Sequence, residues 1–176
     1  MNDPRAVKPG ESQPATASTQ DFVDAMAMAA TGVTIVVTDG QVGRAGVTVS
    51  AFTSVSAEPP LVLICVNRKS PTVETITANA KFSVNVLGVQ HQPLADIFAG
   101  RARHEKAFDF DTHPWARGLT GLPLLADAPA VFECTLHETL DAGTHRIFLG
   151  RVVKAHKNDV PALAYSQRAY RKLTAL

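Results

Sequence analysis

The chain is short of cysteine, short of aromatic residues, and has no concentration of charge. Two cysteines in 176 residues, Cys65 and Cys134, exclude a disulfide-framed scaffold and any CxxC-type zinc site. Each lies in an apolar run, "LVLICV" and "AVFECTL", and reads as a small buried thiol of a reducing compartment. With a net charge of +1 and no basic block, a nucleic-acid partner is not expected. No apolar run approaches the ~20 residues that cross a membrane, so no membrane partner is expected either. The opening "MNDPRAVKPGESQPATASTQ" lacks the apolar segment of a signal peptide and is rich in Pro, Ser, Thr and Gln. Residues 1–18 therefore read as a disordered arm, residues 19–176 as one domain, and the protein as cytoplasmic.

Several catalytic signatures are also missing: GxGxxG, GxxxxGK[ST], HExxH, GxSxG, carboxylate pairs at fixed spacing, and internal repeats. An enzyme built on this chain would leave the chemistry to a cofactor and supply the grip.

What is present is mostly strand. "STQD" is a helix start capped by Ser18 or Thr19, and "DFVDAMAMAA" continues as a short amphipathic helix with its methionines as core filler. "GVTIVVT" is a β-branched strand followed by a "DG" turn. "RAGVTVSAF" alternates, with Ala45, Val47, Val49 and Ala51 on one face and Gly46, Thr48 and Ser50 on the other. "LVLICVN" and "KFSVNVLG" are further strands. "AVFECTLHETLDAGTHRIFLGRVVKAHK" is two long strands joined through "DAG", and "ALAYSQRAY" is a last strand or extended segment. "SPTVETITAN" and "QPLADIFAG" are short helices, the first capped by Ser70, the second closed by Gly100. The irregular stretch 101–125 covers something or serves function. Six or seven strands joined by turns, with three helices and no βαβ alternation, argue a mainly β, antiparallel barrel.

Four places carry candidate chemistry, each with a plain structural alternative. "NRKSPT", residues 67–72, opens a helix with free amides, a hydroxyl and two cations, a phosphate grip or simply a capped helix. The Gly46, Thr48 and Ser50 face has room for a flat ligand at Gly46, or is a half-solvated strand face, and Ser54 and Ser56 follow where the chain bends. His145 follows a hairpin turn, as a general acid, a dinucleotide contact or a surface histidine. Phe98, Lys106 and Phe108, and Tyr165, Arg168 and Tyr170, are contacts for an anionic planar cofactor or ordinary anchors. The other histidines have no metal spacing and read as structural or solvated.

Taken in order, "DAMAMAATGVTIVVTDG", "GRAGVTVSAFTSVSAEPPLVLICVNRKSPT", "FSVNVL", "LADIFAG", "GTHRIFLGRV" and "LAYSQRAYRKL" resemble the flavin reductase-like family, the small reductase components of two-component flavin monooxygenases. The likeness runs from about Asp21 to Leu173. It implies an FMN-binding split β-barrel with short peripheral helices, acting as a homodimer. It places the isoalloxazine against Thr48, Val49, Ser50, Ala51 and Phe52, largely through backbone groups, with Ser54 and Ser56 near the ring or ribityl chain. The phosphate would sit on the Asn67, Arg68, Lys69 and Ser70 turn. Asn85, Phe98, Lys106 and Phe108 would complete the site, some of them from across the dimer. His145, in "GTH" where relatives have "GDH", would lie near the nicotinamide, and Thr144 removes any role for a carboxylate there. Tyr170 would close over the nicotinamide or flavin. The implied activity is NAD(P)H:flavin oxidoreduction, with NADH or NADPH passing hydride to FMN or FAD and reduced flavin diffusing to a flavin-dependent monooxygenase. No basic cluster for a 2′-phosphate stands out, which favours NADH. Alternatives on the same barrel are a reductase with tight FMN acting on a bound substrate such as a corrin, and a non-enzymatic flavin- or haem-binding protein. A pyridoxamine-phosphate oxidase-type enzyme shares the barrel, but "TVSAFTSVSAEPP" and "GTH" match the reductases better.

Overall fold

The structure, a computed structural model, describes residues 15–103 and 106–175. The expected arm lies outside the described residues up to 14; residues 15–18 have no regular structure and lead into helix α1 (Thr19–Met28). Ser18 caps it, its hydroxyl accepting from the Asp21 amide at 3.0 Å. The methionines expected as core filler are at the surface. No residue of α1 is buried, and Phe22 and Met26 are 61% and 52% exposed, so the methionines fill no core of this chain.

Strands β1 (Thr31–Gly32), β2 (Thr34–Gly40) and β3 (Gly43–Val49) follow, then β4 (Phe52–Ala57), β5 (Pro60–Asn67), helix α2 (Thr72–Asn79), β6 (Lys81–Val86) and helix α3 (Gln92–Phe98). The short hairpin β7 (Ala116–Arg117) and β8 (Pro123–Leu124) lies in the irregular stretch, before β9 (Ala130–Ala142), β10 (His145–Lys157), β11 (Leu163–Ser166) and β12 (Ala169–Lys172). The main sheet has seven strands in the order β3-β2-β6-β9-β10-β5-β4, every pair antiparallel. Its two end strands are consecutive in sequence, and the sheet curls until β3 at one end meets β5 near the other. Ser50 and Ala51 join β3 to β4, and the Ala51 carbonyl accepts from the Cys65 amide at 3.1 Å. This is the split of a split barrel. Among the described residues no helix is long and apolar enough to cross a membrane.

Two cores lie on opposite faces of the sheet. Val36, Ile64, Phe82 and Phe148 fill the barrel, closed by Val73 and Ile76 of α2. Ile35, Val37, Phe98, Phe110, Leu122 and Leu125 form the second core, under α3 and the 101–125 stretch, which therefore does cover something. Both thiols are free, and burial pushes Cys134 up to about 12.

Three local readings shift. The β2–β3 turn is Gln41–Val42, two residues beyond "DG", because Asp39 is still paired with Arg44 and Gly43 takes the positive φ of 101°. Asn79 holds that turn, accepting from the Val42 amide and donating to the Gly43 carbonyl. "FTSVSA" is a strand in its own right, β4, with a register slip between Ser54 and Ser56 rather than a simple bend. "ALAYSQRAY" is a hairpin: Gln167 and Arg168 both have φ near +55°, the mirror-image turn normally signalled by Asn-Gly.

Candidate functional site

A cleft opens along β3, between the start of α2 and the end of α3. A larger chamber of about 550 Å³ is lined by Val47, Thr48, Lys69, Ser70, Phe98 and Phe108, among others. A smaller one of about 190 Å³ is lined by Val33, Val49, Ser50, Tyr165 and Tyr170. Thr48, Ala99 and Arg101 border both, so the two are compartments of one cleft.

The larger chamber ends on the turn into α2. Asn67 Oδ1 accepts from the Lys69 amide at 2.9 Å, and the Ser70 amide donates to the Asn67 carbonyl at 2.8 Å. The N-cap of α2 is Pro71 rather than the expected Ser70, but the Ser70 hydroxyl still accepts from the Thr72 amide at the helix start, at 3.3 Å. Lys69, the Ser70 hydroxyl and the α2 N-terminus thus share one end of the cleft, suited to an anion. Arg68 does not join them. Its guanidinium turns to the β9–β10 hairpin, donating to the Gly143 carbonyl at 3.4 Å and lying 3.6 Å from Asp141. It lines a neighbouring cleft with Arg146 and Glu74 instead.

The floor is β3. As an end strand it leaves alternate backbone N–H and C=O groups off the ladder. The expected room at Gly46 is already taken: a Cβ there would lie 2.8 Å from Phe98 Cε1 and 3.0 Å from Phe110 Cζ. The register explains it, since Gly46 pairs with Val37 and Thr48 with Ile35, so this face belongs to the second core. The Thr48 hydroxyl is committed as a donor to the Ala95 carbonyl at 2.8 Å, tying β3 to α3. Ser50 is exposed at the cleft edge.

Other expected residues divide. Phe98 is fully buried, edge-on to Phe110 at 4.8 Å, and walls the large chamber. Phe108 stands at its rim, 47% exposed. Lys106, Ala51, Phe52, Ser54 and Ser56 line neither chamber. Phe52 packs 5.5 Å from Phe132, and the Ser56 hydroxyl accepts from the Glu58 amide. Asn85, expected to complete the cofactor site, lines neither chamber. It is fully buried, its amide donates to the Ile35 carbonyl and the Ser83 hydroxyl, and its oxygen accepts from the Leu125 amide, so every polar atom is spent on the fold. His145 is exposed at the hairpin tip, its Nδ1 2.9 Å from the Thr144 hydroxyl. It pairs across β5 with Asn67, which borders the cleft.

The sequence reading missed Asp96 and Arg101. Gly100, with φ of 69°, turns the chain so that the Arg101 amide donates to the Asp96 carbonyl at 2.8 Å and the Gly100 amide to Ile97 at 3.1 Å. This six-to-one closure was encoded in "DIFAGR" and brings the two side chains together. Tyr170 arrives from β12: its hydroxyl donates to Asp96 Oδ1 at 2.8 Å and accepts from Arg101 Nη2 at 3.2 Å. Burial, with the hydrogen bond to Asp96, pushes Tyr170 up to about 12, so it is a neutral phenol at physiological pH.

A second titratable cluster, His91, His113 and Asp127, lies away from the cleft with ligand atoms within 4.8 Å of each other. His91 Nδ1 accepts from the Gly88 amide at 3.0 Å, which leaves the ring proton on Nε2, 3.1 Å from Asp127. With its proton there, His91 has no lone pair for a metal, and the cluster fastens the loop at Asp127 to the start of α3.

The match to known proteins fits this geometry. Residues 26–174 match the model of the flavin reductase like domain. A protein named FMN reductase (NADH) RutF from Bradyrhizobium diazoefficiens is 41% identical over 152 residues, 86% of this chain and 83% of its own. The structure of BorF, the flavin reductase component of a bacterial two-component tryptophan halogenase, superposes with a TM-score of 0.80 at 35% identity, covering 90% of this chain and all of that one. The NADH:FAD oxidoreductase SgcE6 of Streptomyces globisporus C-1027, solved with NAD and FAD fragments, gives 0.79 at 34% identity, over 92% and 98% of the two chains. With the split barrel and its cleft, matches spanning nearly the whole described chain show that this protein belongs to the flavin reductase-like family.

Proposed function

We propose that the protein is an NADH-dependent flavin reductase that reduces FMN in the β3 cleft and hands reduced flavin to a separate flavin-dependent monooxygenase. The observation that carries the reading is the cleft's polarity: an anion-binding end at Lys69 and Ser70, and an aromatic, apolar end bounded by Val47, Phe98 and Phe108. FMN has that shape, a phosphate at one end and a flat ring at the other. When bound, flavin accepts at N5 the hydride that NADH releases from C4.

The chain's own groups bind and orient. Lys69, the Ser70 hydroxyl and the α2 start hold the phosphate. The free edge of β3 around Thr48 to Ser50 offers backbone groups to the ring, and of Ser50, Ser54 and Ser56 it is Ser50 that brings an exposed hydroxyl to the cleft. Tyr170, held neutral, walls the small chamber as a hydrogen-bonded aromatic plate rather than a proton donor. His145, one strand from Asn67, orients the dinucleotide. Closeness and orientation supply the acceleration, with no covalent step on the protein. The reductases among its relatives favour this over a tight-FMN corrin reductase or a non-enzymatic barrel.

The working unit is a homodimer. Leu63, Cys65, Ile147 and Leu149 are only half-buried on the outer sheet face, Leu140 beside them is 62% exposed, and the apolar side of α1 is bare. A second copy covers such a surface. Two free thiols agree with a cytoplasmic setting. Steady-state NADH oxidation with added FMN, FAD and riboflavin tests the reading: turnover dependent on flavin is expected, and its absence with NADH and NADPH alike would overturn it.

A further inference from the structure

We propose that Arg101 is the cation that meets the negative charge gained by the flavin ring on reduction, that Tyr170 in the cleft wall positions it, and that Asp96 tunes it from behind that wall. This rests on the flavin-reductase reading. The charges of the cleft carry it. Among the described residues that line the two chambers, the cations are Lys69 and Arg101, and no carboxylate lines either. Lys69 is at the α2 end, with the phosphate. Arg101 is where the chambers meet, bordering both of them as Thr48 of the β3 floor does.

The balance of the reaction demands such a group. Breaking the nicotinamide C4–H bond sends a hydrogen nucleus and two electrons to N5, NADH becomes NAD⁺, and the ring carries one more negative charge until a proton arrives from solvent. A fixed cation beside the ring favours the product of that step over its reactant.

Three contacts hold Arg101 in place without quenching it. Its backbone is fixed by the amide donated to Asp96, and its Nη2 donates to the Tyr170 hydroxyl at 3.2 Å. Asp96 is at 3.7 Å from Nε, a loose ion pair, because Oδ1 already accepts the shorter bond from Tyr170 at 2.8 Å. Asp96 lines neither chamber, so its charge is screened from the ring by the guanidinium and phenol in front of it. Burial works against the Arg101 charge, but its contacts with Tyr165, Tyr170 and Asp96 outweigh this and raise its pKa.

The test is a binding measurement. Wild-type protein, Arg101→Gln, Arg101→Lys and Asp96→Asn are titrated under argon with oxidised FMN and with dithionite-reduced FMN. The quenching of Trp115, which packs 5.7 Å from Phe98, gives each Kd. Arg101→Gln is expected to weaken reduced FMN about tenfold more than oxidised FMN, as loss of one nearby unit charge would, and Arg101→Lys to retain most of the preference. Asp96→Asn keeps an acceptor for Tyr170 and removes the opposing charge, so the preference for reduced FMN should rise several-fold. Equal effects of Arg101→Gln on both forms, or a lowered preference in Asp96→Asn, would overturn the proposal while leaving the flavin-reductase reading intact. Wild-type protein that binds neither form of FMN would overturn both.

Discussion

Lys69 has no carboxylate within ion-pair distance among the described residues, and it faces the cleft where the α2 amides also point. Lys69→Ala should raise the KM for FMN about tenfold and hardly change that for riboflavin, which lacks the phosphate; steady-state kinetics with both flavins decide it. His145→Ala should raise the KM for NADH more than it weakens flavin, and the reverse ranking would remove its role. At this scale residue type was legible and residue direction was not. The turn "NRKSPT" announced an anion grip, but nothing in it distinguished Lys69, which faces the cleft, from Arg68, drawn away by Asp141 and the Gly143 carbonyl. Asn85 looked like a polar residue on a strand face near a ligand. It is instead a core asparagine, its partners lying far along the chain at Ile35 and Leu125.

Among the elements, α3 and β3 meet most tightly at Gly46. Gly46→Ala should cost about 1–3 kcal/mol, because the new methyl meets Phe98 and Phe110 in a packed core and cannot be accommodated without moving the ring that walls the cleft. A lowered thermal midpoint together with weaker FMN binding is the expected signature. Helix ends and long strands could be read because their signals are local: Ser18, Ser70 and Gly100 act within a turn of where they stand. The strand β4 and the β11–β12 hairpin could not. β4 is carried by pairing with β5, and the Gln167–Arg168 turn by tertiary ties, the Gln167 amide to the Ala27 carbonyl at 2.6 Å and Arg168 to Asp24 at 2.6 Å. The hydroxyl-bearing face of β3 misled for a related reason: a polar alternation was read as a solvent or ligand face, and the fold laid a second core upon it.

For the whole molecule, acid and association are the two sensitivities. His91 is 1% exposed, and burial lowers its pKa below the ordinary 6.5 despite the pull of Asp127. The unfolded chain therefore takes up a proton, as pH falls through about 6.5, that the folded chain refuses, and stability is lost on the acid side. Urea unfolding should show stability falling as the pH drops below about 6.5, and His91→Gln should flatten that slope. The proposed homodimer rests on the apolar outer face. Leu140 is exposed in the single chain, so Leu140→Glu should spare the monomer's fold yet raise the dimer dissociation constant about tenfold or more, read by sedimentation. The barrel, its antiparallel order and its family were visible in the series of motifs, while the surface left bare on α1 was not, because amphipathic spacing does not say whose core it joins. The central claim is tested most directly by anaerobic reduction of FMN by one equivalent of NADH with a catalytic amount of the protein. The account predicts rapid, stoichiometric loss of the oxidised flavin's visible absorbance, and a rate no faster than NADH and FMN alone would contradict it.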